Sequence, residues 1–115
     1  MNKRKIGIQK ENLAVNYLKN KGYKIIKQNF YTKYGEIDII AKNKDTLVFI
    51  EVRSKSYNKF GTPEETINKT KQRKIINTAK IFLKNYNLDF EEIRFDVIAI
   101  FEENINHIEN AFHLE

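Results

Sequence analysis

The chain is predicted to fold as an α/β protein, a mixed central sheet flanked by helices, in the order αβββαβ with a final short β-strand. Three observations lead there. Two short runs rich in Ile, Val and Phe, Gly35 to Ala41 and Leu47 to Arg53, lie on either side of the polar cluster Asn43-Lys44-Asp45, as the strands and turn of a β-hairpin do. Apolar residues recur at helical spacing before this pair and again after it. A further strand-like run comes after the second helical stretch, and a hairpin meander followed by a crossover helix gives a mixed sheet.

Taken in order, the first helix runs from about Ile8 to Lys21, with Ala14, Val15, Tyr17 and Leu18 on its apolar face and Gly22 as the residue that ends it. Tyr23 to Phe30 carries Tyr23, Ile25, Ile26 and Phe30 and is the first strand. The hairpin strands come next. Thr62-Pro63-Glu64-Glu65 is a helix start, with Thr62 as N-cap, Pro63 at the first helical position and Glu65 completing a capping box. Helical spacing continues through Ile67, Ile75, Ala79, Phe82, Leu83 and Tyr86 to Asn87. Arg94 to Phe101 is a strand with Asp96 near its start, and Asn106 to Phe112 a short edge strand. Ser54 to Gly61, polar but holding Tyr57 and Phe60, is expected as a mobile loop beside the acidic strands.

At 115 residues and 41% hydrophobic content, the chain from 1 to 115 is expected to form one domain. It has no cysteine, which removes disulfides, thiolate zinc sites and cysteine nucleophiles, so a metal here would need oxygen or histidine ligands. Met1-Asn2-Lys3-Arg4-Lys5 is basic like the start of a signal peptide, but polar Gln9-Lys10-Glu11-Asn12 stands where an apolar stretch would be required. The apolar run Val97 to Phe101 is too short to cross a membrane. A soluble, cytoplasmic protein with no membrane partner is the expectation. Twenty-one Lys and Arg against fifteen Asp and Glu give a net charge of +6, which favours polyanionic partners.

The acids inside the hairpin strands carry the most chemistry. A carboxylate in the middle of an apolar strand is costly to bury unless a positive group meets it. With a two-residue loop of Lys44 and Asp45, Asn43 pairs with Thr46, Asp38 stands opposite Glu51, and Glu36 opposite Arg53, all on one face. A three-residue loop would slip the register by one and separate Asp38 from Glu51. Paired, these two acids and the Val52 carbonyl supply hard oxygen ligands suited to Mg²⁺ or Mn²⁺, and a metal so held lowers the pKa of bound water and clamps a phosphate oxygen. Arg53 can neutralise charge building on the phosphate, although its high pKa makes it a poor base. Lys55 continues the same alternation and is a substitute if the strand reaches it. The alternative is a solvated face with cross-strand ion pairs of small value. Glu11 neighbours Ala14, Val15 and Leu18 on the helix face that should pack on the sheet, from where it could reach the metal; alternatively it is a first-turn acid favoured by the helix dipole.

Lys69, Lys71, Arg73, Lys74, Lys80 and Lys84 on the second helix, with Lys59 in the loop before it, can line a path for a phosphate backbone or simply coat a solvated face. Tyr31, Tyr34, Tyr57 and Phe60 flank the acidic strands and either stack on bases or belong to the core. His107 and His113 lack partners at ligand spacing and read as structural. Neither a Gly-rich phosphate loop nor a Ser/His/Asp signature occurs.

Several of these segments, in this order, resemble the bacterial YraN-like proteins: Glu11-Asn12-Leu13-Ala14 with Tyr17-Leu18, Gly35-Glu36-Ile37-Asp38-Ile39-Ile40-Ala41, Phe49-Ile50-Glu51-Val52-Arg53, Lys71-Gln72-Arg73-Lys74 and Arg94-Phe95-Asp96-Val97. The match runs from about Gly7 to Phe112. That family is similar in fold and motif order to the PD-(D/E)xK nucleases, in particular the archaeal Holliday-junction resolvases. The resemblance implies a restriction-endonuclease-like fold and a metal-dependent nuclease acting on DNA. It also implies Asp38 and Glu51 as metal ligands, Arg53 at the superfamily's lysine position and Glu11 as the helix-one acid near the metal. Arg53 departs from that lysine, since a planar guanidinium and a point-like ammonium are not equivalent. A retained binding surface without cleavage is the alternative. A homodimer is a further expectation, because two symmetric cuts need two sites.

Overall fold

The computed structural model describes residues 3–55 and 67–113, with elements α1 (Lys3–Asn20), β1 (Lys24–Thr32), β2 (Gly35–Asn43), β3 (Thr46–Lys55), α2 (Lys69–Asn85), β4 (Glu92–Phe101) and β5 (Asn104–Phe112). The five strands form one sheet in the order β1-β2-β3-β4-β5. Every neighbouring pair is antiparallel except β3 and β4, which run parallel on either side of the α2 crossover. The mixed α/β architecture expected from the sequence is therefore present.

The two helices cover opposite faces. Ala14, Val15 and Leu18 of α1 pack on Ile39, Ala41, Val48, Ile50, Ile98 and Ile100, while Ile75, Ala79 and Phe82 of α2 pack on Ile40, Leu47, Phe49, Phe95 and Val97. The α2 face is aromatic, with Phe49 stacked on Phe95 (centroids 5.5 Å apart) and Phe95 on Phe112 (5.0 Å). Burial of these side chains, about 1.5–3 kcal/mol for each Val, Leu, Ile or Phe, is what holds the layers together.

Local signals explain the element ends. α1 closes at Gly22 (φ +91), where the Gly22 N–H donates to Lys19 O (3.0 Å) and the Tyr23 N–H to Leu18 O (2.9 Å), a Schellman arrangement with Tyr23 and Leu18 in the same apolar cluster. At its other end α1 begins at Lys3, earlier than Ile8, so Glu11 lies beyond the first turn and the dipole account of it falls. α2 also differs from expectation. Ile67 and Asn68 precede the helix, and Asn68 is the N-cap, its side chain accepting from the Lys71 N–H at 2.8 Å. Thr62-Pro63-Glu64-Glu65 lies outside the described residues, but a single helix running from there through Ile67 is excluded. The helix stops at Asn85, with Tyr86 already extended.

Two interruptions of the sheet set the positions of its buried acids. The β2–β3 turn is Lys44 and Asp45, with Lys44 at φ 55 and Asn43 paired to Thr46, the shorter loop of the two considered. Yet the ladder ends at Ile39↔Ile50, so Glu36 and Arg53 do not pair. On the other side, β1–β2 pairing passes from Gln28↔Ile39 to Phe30↔Ile37, bracketing Asn29 at φ 53. Ile37 and Ile40 belong to the α2-side cluster and Ile39 to the α1-side one, so the alternation of β2 breaks at Asp38. The second interruption lies between Phe95 and Val97 of β4, opposite Asn110 at φ 57.

Candidate functional site

At each interruption a carboxylate takes the backbone N–H that the ladder leaves unpaired. Asp38 Oδ2 accepts from the Val52 N–H at 2.8 Å, and Asp96 Oδ1 from the Asn110 N–H at 2.9 Å. The geometry is shared, but the surroundings are opposite in charge.

Asp96 is fully satisfied by donors. Arg94 gives it two bonds (Nε to Oδ1 and a terminal N–H to Oδ2, both 2.9 Å), and His107 Nε2 lies 2.7 Å from Oδ2. Burial alone would raise the Asp96 pKa, but His107, Arg94 and the Asn110 N–H together hold it below the ordinary carboxylate range. Burial would likewise lower Arg94, and Asp96 raises it instead. Arg94 also donates to the Tyr23 hydroxyl at 2.6 Å, and His107 Nδ1 lies 3.1 Å from the Tyr17 hydroxyl, tying α1 to β4 and β5. His107 is thus structural, as its lack of ligand spacing suggested.

Asp38 faces acids. Its buried carboxyl is pushed up to about 8, first by desolvation, then by the charge of Glu51, with which it also shares a hydrogen bond, and by Glu36. The Val52 N–H opposes the rise. Glu51, 8% exposed, has Lys71 Nζ at 3.4 Å and an Arg53 guanidinium nitrogen at 3.8 Å. Glu11 of α1 lies near Glu36 and Asn29. Burial and the Glu36 charge raise its pKa, while a hydrogen bond from Asn29 lowers it. Glu36 in turn accepts from the Tyr31 hydroxyl, which it holds above its ordinary pKa. A strip of acids thus runs from Glu11 on α1 across Glu36 and Asp38 to Glu51, where Arg53 of β3 and Lys71 of α2 meet it.

Of the residues expected at the site, Asp38 and Glu51 come together, and Val52 joins them through its N–H. Arg53 and Lys71 both reach Glu51, so Lys71, expected as a backbone contact, is part of the acidic site. Glu11 couples to Glu36; among the described residues no group of three His, Cys, Asp or Glu converges as a metal cage. Lys69, Arg73 and Lys74 lie on the first turns of α2, and Lys69, Arg73 and Lys74 are all solvent-exposed there. Lys55 ends β3 opposite Phe101, and Lys59, Tyr57 and Phe60 lie outside the described residues. Asn29 tolerates the left-handed conformation it adopts, but a lone Asn inside the strand-like run Tyr23 to Phe30 does not mark a turn, so the sequence pattern passes over it.

Two adjacent carboxyls, one with its pKa raised by burial and then by its neighbour's charge, are a hard-oxygen donor pair that a divalent cation would suit, since the ion relieves the repulsion.

The family model described as Uncharacterised protein family UPF0102 matches residues 10–100. A UPF0102 protein of Persephonella marina is 48% identical over 109 residues, covering 95% of this chain and 94% of its own. The chain belongs to the UPF0102 family. A UPF0102 protein of Clostridioides difficile is 48% identical over 114 residues (97% of this chain, all of its own), and one of Vibrio campbellii 43% over 116 (95% and 93%). The UPF0102 match thus takes in α1 from Lys10 onward, the hairpin acids and most of β4. No helix among the described residues is long and apolar enough to cross a membrane.

Proposed function

We propose that this UPF0102 member is a nucleic-acid-binding protein of restriction-endonuclease-like fold that hydrolyses phosphodiester bonds, DNA being the preferred substrate, with Mg²⁺ or Mn²⁺ held by Asp38 and Glu51. The observation that carries this reading is the hydrogen-bonded contact of two carboxyls, Glu51 buried and Asp38 half-buried, at the point where β2 and β3 part. When bound, the cation supplies a more acidic water and charge neutralisation at a phosphate oxygen. The Val52 N–H fixes Asp38 Oδ2. Lys71 and Arg53, both on the Glu51 side, stand where they can balance negative charge on a phosphate. The exposed Lys69, Arg73 and Lys74 extend that basic surface along α2 and would hold the backbone.

A second reading, a module that binds nucleic acid without cleaving it, is favoured by one observation: Glu51 already has two cationic neighbours. Calorimetric titration of Mn²⁺ into the wild type and into Asp38→Ala/Glu51→Ala, followed by assay on labelled linear and four-way DNA, separates the two. Metal binding and cleavage that both vanish in the double variant support the first reading. DNA retention that responds to salt but not to chelator, without cleavage, leaves the second.

A further inference from the structure

Beside the acid pair, on the α1 side of the sheet, lies a cavity of about 530 Å³. Its walls are unlike those of a phosphate site. Asn12 of α1, Gln28 and Asn29 of β1 and Ser54 of β3 line it, and Asp38 stands at one end. Each of the first three carries a carboxamide, which presents a donor and an acceptor side by side, and Ser54 adds a group that can act as either. The one lysine on the wall, Lys10, donates to the Glu102 carbonyl. Such a lining recognises a neutral, planar, hydrogen-bonding group better than an anion.

Tyr31 also borders the cavity, with 70% of its surface exposed. Its hydroxyl is anchored on Glu36, so the ring is held in place with a face free for stacking. Asn29 supports the same assignment. It is a non-glycine residue at φ 53 within β1, a conformation usually reserved for turns, and there its side chain reaches Glu11 on the opposite wall. The volume falls within the range of small-ligand pockets and suits one nucleotide, not a stacked pair of strands.

We infer that this cavity takes a single unpaired nucleobase, stacked on Tyr31 and read along its edge by Asn12, Gln28 and Asn29, with the adjoining phosphate at Asp38 and Glu51. The inference rests on the phosphodiesterase reading and narrows it: the substrate is single-stranded, flapped or gapped nucleic acid, because a paired base cannot leave its stack without losing stacking and pairing energy.

The test uses the full chain and fluorescein-labelled DNA of one sequence in single-stranded, flapped and blunt duplex forms, with 2-aminopurine at the unpaired position. Binding is read by anisotropy with Ca²⁺ present, and cleavage with Mn²⁺. Single-stranded and flapped forms should bind at least roughly 10-fold tighter than duplex, and Tyr31→Ala should weaken them roughly 5- to 100-fold with duplex affinity unchanged. Tyr31→Phe should retain the stacking, and Gln28→Ala should alter the preference among bases at the unpaired position. Equal affinity for all three forms, or a Tyr31→Ala variant that binds and cuts like wild type, overturns the inference while leaving the phosphodiesterase reading intact. Absence of binding and cleavage for every form at low salt overturns both.

Discussion

His107 Nε2 lies 2.7 Å from Asp96 Oδ2, beneath α1 and against the bulge of β5. With Arg94, Asn110 and Tyr17 added, the Asp96 carboxylate is the point at which α1, β4 and β5 are fastened together. Asp96→Ala would take both carboxylate bonds from the Arg94 guanidinium, which keeps the Tyr23 hydroxyl and the exposed Glu109 as neighbours, and would leave the Asn110 N–H without this acceptor. A loss of roughly 3–5 kcal/mol is expected, read from the urea midpoint at neutral pH.

The same site sets the acid limit. Because the folded pKa of Asp96 lies below its unfolded value, the ionised group contributes stability above about pH 4, which is lost as pH falls through the depressed folded value. Asp96→Asn should flatten the dependence of stability on pH below about 4, measured by thermal melts across an acid series. An unchanged slope would remove Asp96 as the cause.

Asp38 behaves in the opposite sense. Its folded pKa, raised to about 8, means that the folded protein holds a proton the unfolded chain releases near pH 4, so the metal-free protein loses stability as pH rises between those values. Asn at this position can accept from Val52 and donate to Glu51 without a charge. Asp38→Asn should therefore raise the melting temperature at pH 8 by roughly 4 °C or more, while abolishing Mn²⁺ binding. A lower melting temperature would mean that the repulsion is not what strains the site.

Lys71 separates structure from binding. Its side chain is substantially exposed, so Lys71→Ala should change stability by less than about 1 kcal/mol. If it contacts phosphate, the same variant should weaken DNA binding and reduce the salt slope by about 1, read from affinity at several salt concentrations. A full-sized stability loss with an unaltered slope would assign Lys71 to Glu51 alone.

Legibility in the sequence tracks the range of the interactions involved. The β2–β3 turn and the Gly22 stop are set by neighbouring residues: Gly22 is where the sequence pattern places it, and the turn falls within Asn43-Lys44-Asp45, whose pattern left two loop lengths open. The start of α2 is also local, yet it misleads: Thr62-Pro63-Glu64-Glu65 carries every mark of a capping box, whereas Asn68, the true cap, lacks Glu or Gln three positions later. The Asp38–Glu51 approach can be read from the register of the shorter loop, but not the end of the ladder at Ile39↔Ile50, which no local pattern marks. The links of Asp96 to His107 and Tyr17 are wholly tertiary. No spacing rule connects a helix residue, a strand acid and an edge-strand imidazole.

The one parallel pairing also shapes the folding path. β1, β2 and β3 are joined by two-residue turns, and such hairpins close in roughly 1–10 μs. Aligning Ile50 with Asp96 instead requires the intervening chain, α2 included, to be gathered first, at an entropic cost no early contact offsets. The meander should therefore wait for β4, with β5 added last. Val97→Ala should slow refolding, whereas Phe112→Leu should chiefly hasten unfolding, a contrast that stopped-flow chevrons on the two variants would reveal.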